Sequence, residues 1–176
     1  MHPAGHGALK GTTLLRSFRN ALGGLLWAYG SERNMRIHVC AGAWAFSLAY
    51  LGGVGRGGFL QVALAVFLVW IAELANTALE AVADLASGGE YHPLVGRAKN
   101  AAAGGVLLAA TYAVLVGAWV LLPAVRGLPG AAMDAMRSAP LAAGVLMALD
   151  LALLGGALLP GRIWHRWVRN WMGDGN

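Results

Sequence analysis

The chain has 176 residues, of which 58% are hydrophobic and only 12% charged, and its mean hydropathy is +0.59. Ordinary globular domains carry about a quarter charged residues, so this composition excludes a typical soluble domain and indicates one integral membrane domain. The formal net charge of +5 follows in such a chain from membrane orientation and anionic lipid, so no nucleic-acid partner is expected.

Residues 1–13 are rich in Gly and His and read as a disordered tail without an apolar signal region. Leu14 to Gly30 reads as an amphipathic helix lying on the membrane surface, with Leu15, Phe18, Leu22, Leu25 and Tyr29 on one face. Gly23-Gly24 weakens it and suggests a bend. Glu32, Arg33 and Arg36 are charged and directly precede the next apolar run.

Ile37 to Val54 reads as a first span, with His38 hydrogen-bonded to a neighbour at its mouth and Cys40 as a small apolar filler. A Gly-rich turn leads to a second span from Phe59 to about Leu85. Ser87 to Pro93 is a polar loop with strong turn signals. Ala101 to Leu122 is a third span, expected to stop at Pro123, and 123–138 reads as a linker. Residues 139–176 hold a fourth span, Pro140 to Leu159, and an amphipathic basic tail. In that tail Trp164, Trp167 and Trp171 read as an interfacial anchor opposite Arg162, Arg166 and Arg169.

Four spans place both termini on one side. That side holds Lys10, Arg16, Arg19, Arg33, Arg36, Arg97, Lys99, Arg162, Arg166 and Arg169; only Arg56, Arg126 and Arg137 lie opposite. The positive-inside rule then puts both termini and the 86–100 loop in the cytoplasm.

The second span carries most of the chemistry. Glu73, Asn76, Thr77, Glu80 and Asp84 lie on one helical face, over about three turns. Three unpaired acids held deep in a bilayer would oppose insertion by roughly 7–10 kcal/mol. A polar stripe can be structural glue between helices. Packing alone does not require so much charge, and a functional, metal-linked site is the better expectation.

Glu32, Glu80, Asp84, the loop and Lys99 converge on the cytoplasmic leaflet. Glu32 and Glu80 could share Mg²⁺, which takes one or two carboxylates and completes its shell with water and phosphate. Arg97 and Lys99 could hold phosphate oxygens. Glu73, deepest in the lipid, could accept a proton from an alcohol. Together these suggest phosphoryl transfer from a soluble nucleotide to a lipid hydroxyl. Gly5 to Gly11 does not form a Walker A loop, so the helices and loop would have to hold the nucleotide. A stripe of acids also fits a rival reading, a non-enzymatic cation-handling membrane protein.

Glu73-Leu-Ala-Asn76-Thr77-Ala-Leu-Glu80-Ala-Val-Ala-Asp84 resembles the ExxN[ST]xxExxxD signature of the small prokaryotic diacylglycerol kinase family. Glu32 to His38, Glu90-Tyr91-His92-Pro93-Leu94 and Ala98-Lys99-Asn100-Ala101 look like its undecaprenol kinase branch. The resemblance covers roughly residues 14–122. It implies an all-α integral membrane protein with a surface helix, a three-helix kinase core and here one extra C-terminal transmembrane helix. It further implies a homotrimer in the bacterial inner membrane and the use of ATP with Mg²⁺. The acceptor would be undecaprenol, with diacylglycerol second. By the same resemblance Glu73 is the general base, and Asn76 and Asp84 shape the catalytic site. Glu32 and Glu80 bind the metal with ATP, and Glu90, Tyr91, His92, Lys99 and Asn100 contact the nucleotide. Arg16 is a further candidate on the surface helix. This chain departs from the family in Asn100, where the family usually carries Asp, and in residues 123–176, which have no counterpart in its minimal members.

Overall fold

A computed structural model describes residues 14–90, 92–159, 163, 164 and 166. It contains five helices: α1 (Leu14–Ser31), α2 (Arg33–Leu51), α3 (Arg56–Ser87), α4 (Pro93–Ser138) and α5 (Pro140–Leu158). The all-α membrane expectation holds. α1 covers the predicted surface helix and is continuous through Gly23-Gly24, so the glycines do not end it. The predicted tail at 1–13, Tyr91, Trp167, Trp171, Arg162 and Arg169 lie outside the described residues.

Among the described residues three helices are long and apolar enough to cross a membrane: α3, α4 and α5. α2, expected as a first span, does not meet that standard, because Arg36 and His38 occupy its first turns. Its Arg36 donates through Nη1 to carbonyls of α1 instead. α2 packs against α1, α3, α4 and α5, and polar side chains are tolerated at membrane depth where neighbouring helices satisfy them.

α2 and α3 form an antiparallel hairpin. Gly42 is the point of closest approach: a Cβ there would stand 2.6 Å from Val66 Cγ1 and 2.9 Å from the Trp70 ring. Phe46 packs on Phe59 and Phe67, with ring centroids 5.8 and 6.3 Å apart. Gly42→Val is therefore expected to destabilise the hairpin by about 1–3 kcal/mol through overpacking. Thermal unfolding in detergent measures this, and Gly24→Ala, where a Cβ meets nothing within 4 Å, is the control.

α3 ends at Gly88 in the left-handed conformation (φ 61°), whose N–H bonds back to the last turn. Only glycine takes that conformation without steric cost. α4 starts with Pro93 in its first turn and His92 as its cap, whose Nδ1 accepts from Leu94 N–H at 3.2 Å.

The expected stop at Pro123 and the linker at 123–138 are not observed, since α4 runs on to Ser138 with Pro123 and Pro129 inside it. Flanking Ala, Leu and Met favour helix, and a membrane helix absorbs the lost hydrogen bonds locally. α4 cannot be straight, however. A Cβ at Gly52 would meet Ala124, whereas Leu153 of α5 meets Cys40. The stretches Cys40 to Gly52 and Pro140 to Leu153 are both roughly 18–20 Å by helical rise. α5 thus begins about level with Ala124, and the last turns of α4 run across the bundle rather than along it. The two prolines account for the change of direction.

Candidate active site

Antiparallel packing brings the start of α2, the end of α3 and the start of α4 to one end of the bundle. Glu73 is the largest fully buried side chain, 2% exposed. Its neighbour is His38, whose Nε2 stands 3.1 Å from Glu73 Oε1. The pair is off the alignment a hydrogen bond needs, which leaves Glu73 Oε1 as a buried oxygen without a donor. Trp70 Nε1–H donates to the His38 carbonyl at 3.0 Å and ties α3 to the mouth of α2. Thr77 does not face a ligand: its hydroxyl donates to the Glu73 carbonyl at 2.9 Å.

One turn further along α3, Asn76 Nδ2 donates to Glu80 Oε1 at 2.9 Å. Asn76 Oδ1 is buried and has no partner. Glu32 is the single residue between α1 and α2, the N-cap of α2, and its side chain makes no capping bond. Glu32 and Glu80 are both close enough to Glu73 to act on its carboxylate electrostatically. Acids from two separate segments therefore bear on one buried carboxylate within a single protomer.

Lys99 Nζ and Asp84 Oδ1 form an ion pair at 2.5 Å between α3 and α4. Both side chains are substantially exposed, and such a pair contributes about 0–1 kcal/mol. Asp84→Ala is expected to shift the stability of the protein by no more than about 1 kcal/mol, read from a melting curve. A larger loss of activity in that variant would then belong to the site and not to the fold.

Glu90 and Asn100 are exposed beside this pair, in the loop and on α4. His92 spends its Nδ1 on the α4 cap, leaving Nε2 for other partners. Arg16 is not brought to the site within the protomer: it lies near the far end of α1, sixteen residues from Glu32, roughly 24 Å by helical rise. Sequence reasoning left out Arg36. It is 7% exposed, and its Nη1 donates to the carbonyls of Tyr29 (3.3 Å) and Gly30 (3.0 Å) at the end of α1. A guanidinium at a helix C-terminus satisfies orphan carbonyls and complements the dipole. The signal was present as a basic residue six residues beyond a glycine, but membrane orientation accounted for it equally well.

Beside His38 an apolar cavity of about 260 Å³ lies between α2, α3 and α4, lined by His38, Gly42, Val66, Val69, Trp70 and Ala113 among others.

Residues 19–121 match the family described as prokaryotic diacylglycerol kinase. A protein of Synechocystis sp. named diacylglycerol kinase is 47% identical over 110 residues, 62% of this chain and 63% of that protein. The undecaprenol kinase of Bacillus subtilis is 31% identical over 108 residues, 61% of this chain and 87% of that protein. The diacylglycerol kinase of Escherichia coli K12 is 47% identical over 57 residues, 32% of this chain and 44% of that protein. The chain thus spans less than two thirds of the Synechocystis protein, and no solved structure matches it. On the match over 19–121, more than half its length, the chain belongs to the prokaryotic diacylglycerol kinase family.

Proposed function

We propose that the chain transfers the terminal phosphate of ATP to the hydroxyl of a membrane lipid alcohol, at the cytoplasmic face of the bacterial inner membrane. The observation that carries this reading is the buried carboxylate of Glu73 beside His38, which lines an apolar cavity, with Glu32 and Glu80 near enough to act on it electrostatically. A lipid alcohol presents its hydroxyl at that depth, and its chain fits among the small apolar side chains.

Glu73 is the general base. A buried carboxylate oxygen without a donor is poised to accept a proton from the alcohol. His38 borders it, its Nε2 3.1 Å from Glu73 Oε1. Among the described residues no group of three or more His, Cys, Asp or Glu side chains could hold a metal. Two carboxylates suit Mg²⁺ nonetheless, since it is commonly bound by one or two together with phosphate oxygens and water. Glu32 and Glu80 would hold it, with Asn76 fixing the Glu80 carboxylate. When bound, Mg²⁺ neutralises charge on the triphosphate. Lys99, Glu90, His92 and Asn100 would contact the nucleotide, as would Tyr91 by the family resemblance, and Asp84 holds Lys99.

The cytoplasmic placement rests on the basic residues together with the contact between Tyr29 and Gly156. That contact supports the end of α5 lying at the same end as Glu32, in line with the four-span reading of the sequence, in which ten of the 13 Lys and Arg residues fall on one side. Exposed Leu64, Phe67, Ile71 and Val82 leave one face of α3 open to a second copy in a homotrimer.

Undecaprenol is the acceptor favoured by the Glu32 to His38 and Glu90 to Leu94 blocks. Diacylglycerol is the second reading, favoured by the name of the Synechocystis relative. Assaying the purified chain with both alcohols separates them. Faster phosphorylation of undecaprenol is expected, and a preference above roughly tenfold for diacylglycerol, about 1.4 kcal/mol in transition-state terms, reverses the order.

A further inference from the structure

α5 lies outside the stretch that matches the family. Its last turn nevertheless rests on the corner that carries Glu32. Trp164 Nε1–H donates to the Gly156 carbonyl at 3.0 Å. The Trp164 ring meets Tyr29 edge to face, with centroids 4.9 Å apart and an interplanar angle of 89°. Gly156 makes the close approach at this junction: a Cβ there would stand 3.1 Å from both the Tyr29 hydroxyl and the Trp164 ring, which would have to give by a few tenths of an ångström. Three residues earlier in α5, Cys40 Sγ–H donates to the Leu153 carbonyl at 3.1 Å, seaming α5 to α2. Expected only as a headgroup-level anchor, Trp164 instead packs on protein.

Tyr29 in turn belongs to the last turn of α1. Arg36 of α2 holds the carbonyls of Tyr29 and Gly30. Glu32 follows at once; its N–H donates to Ala28 O at 2.9 Å, and its carboxylate is not spent on capping. The corner is a one-residue break between two helices, and helix ends fray unless something holds them. Most of α1 before it is exposed. Arg36 grips the corner from α2, and Gly156 of α5 with Trp164, six residues beyond the last residue of that helix, packs on its Tyr29.

We infer that Gly156 at the end of α5, together with Trp164 beyond that helix, is a positioning clamp that sets the Glu32 carboxylate for Mg²⁺–ATP. This rests on the nucleotide role of Glu32 proposed above. The extra helix is then part of the kinase site and not an appendage outside it. A misplacement of about 1 Å in a binding group can cost on the order of 10²-fold, so a loosened corner has a measurable consequence.

The test uses the full chain. Gly156→Leu wedges Tyr29 from Trp164, and Trp164→Ala removes the ring. Trp164→Phe restores an aromatic contact, and Leu151→Ala changes a residue that is 66% exposed on the same helix. Both disrupting variants are expected to raise KM for Mg²⁺–ATP by roughly tenfold with little change in kcat, a split that marks lost binding. Trp164→Phe and Leu151→Ala keep the parent KM. In a Glu32→Gln background the α5 substitutions are expected to add nothing further, because both act on one carboxylate. Unchanged KM in both disrupting variants overturns the clamp, as do effects that simply add to those of Glu32→Gln. If Glu32→Gln alone leaves KM for Mg²⁺–ATP unchanged, the nucleotide role of Glu32 fails first. If it raises KM while Trp164→Ala and Gly156→Leu do not, only the clamp fails.

Discussion

Glu73→Gln is expected to lower kcat for lipid phosphorylation by about 10²–10⁴-fold, the usual contribution of a positioned general base. The same substitution is expected to leave the melting temperature unchanged or raise it. Glu73 is 2% exposed, and its Oε1 has no hydrogen-bond donor. A buried carboxylate in that state is unfavourable for folding, and a neutral amide of the same shape relieves the cost. Activity and stability therefore move in opposite directions. If Glu73 were structural glue between α2 and α3, both would fall together. Steady-state kinetics and a melting curve on one preparation separate the two outcomes.

Glu80→Gln is the second large effect. It is expected to raise the Mg²⁺ concentration needed for half-maximal rate by tenfold or more, since tenfold corresponds to only about 1.4 kcal/mol of lost ion binding. Asn76 Nδ2 donates to Glu80 Oε1, which aims the carboxylate. Asn76→Ala frees it to rotate and is expected to shift the Mg²⁺ requirement in the same direction by less. Glu32→Gln acts from the other segment. Because Glu32 and Glu80 share one ion in this account, the double variant is expected to lose less than the product of the single losses. A Mg²⁺ titration of the four proteins reads this directly, and strict multiplicativity would separate the two carboxylates into independent roles.

Much of this arrangement was legible in the chain. The spacing of Glu73, Asn76, Glu80 and Asp84 needs only the helical period to place them on one face. Antiparallel hairpins with short Gly-rich turns then bring Glu32 and Lys99 to the same end. Other features were hidden for physical reasons. Pro123 is a helix breaker in water, but α4 continues past it to Ser138, because a membrane helix has few alternatives to internal hydrogen bonding. α2 was expected to span by its apolar residues. Its Arg36 is matched by the Tyr29 and Gly30 carbonyls and its His38 lies beside Glu73, and no periodicity announces such neighbours. His38 was expected to have a neighbour, but that the neighbour is Glu73 depends on the register between α2 and α3. That register is set by Gly42 against Val66 and Trp70. The contact between Trp164 and Tyr29 joins residues far apart in the chain and leaves no local pattern.

The most direct measurement follows the terminal phosphate of labelled ATP into the lipid phase, with the purified chain, Mg²⁺ and a lipid alcohol. The account predicts label in the lipid for the parent chain and a signal reduced by about 10²-fold or more for Glu73→Gln. Label that never enters either alcohol, or that enters undiminished when Glu73 is Gln, would contradict it.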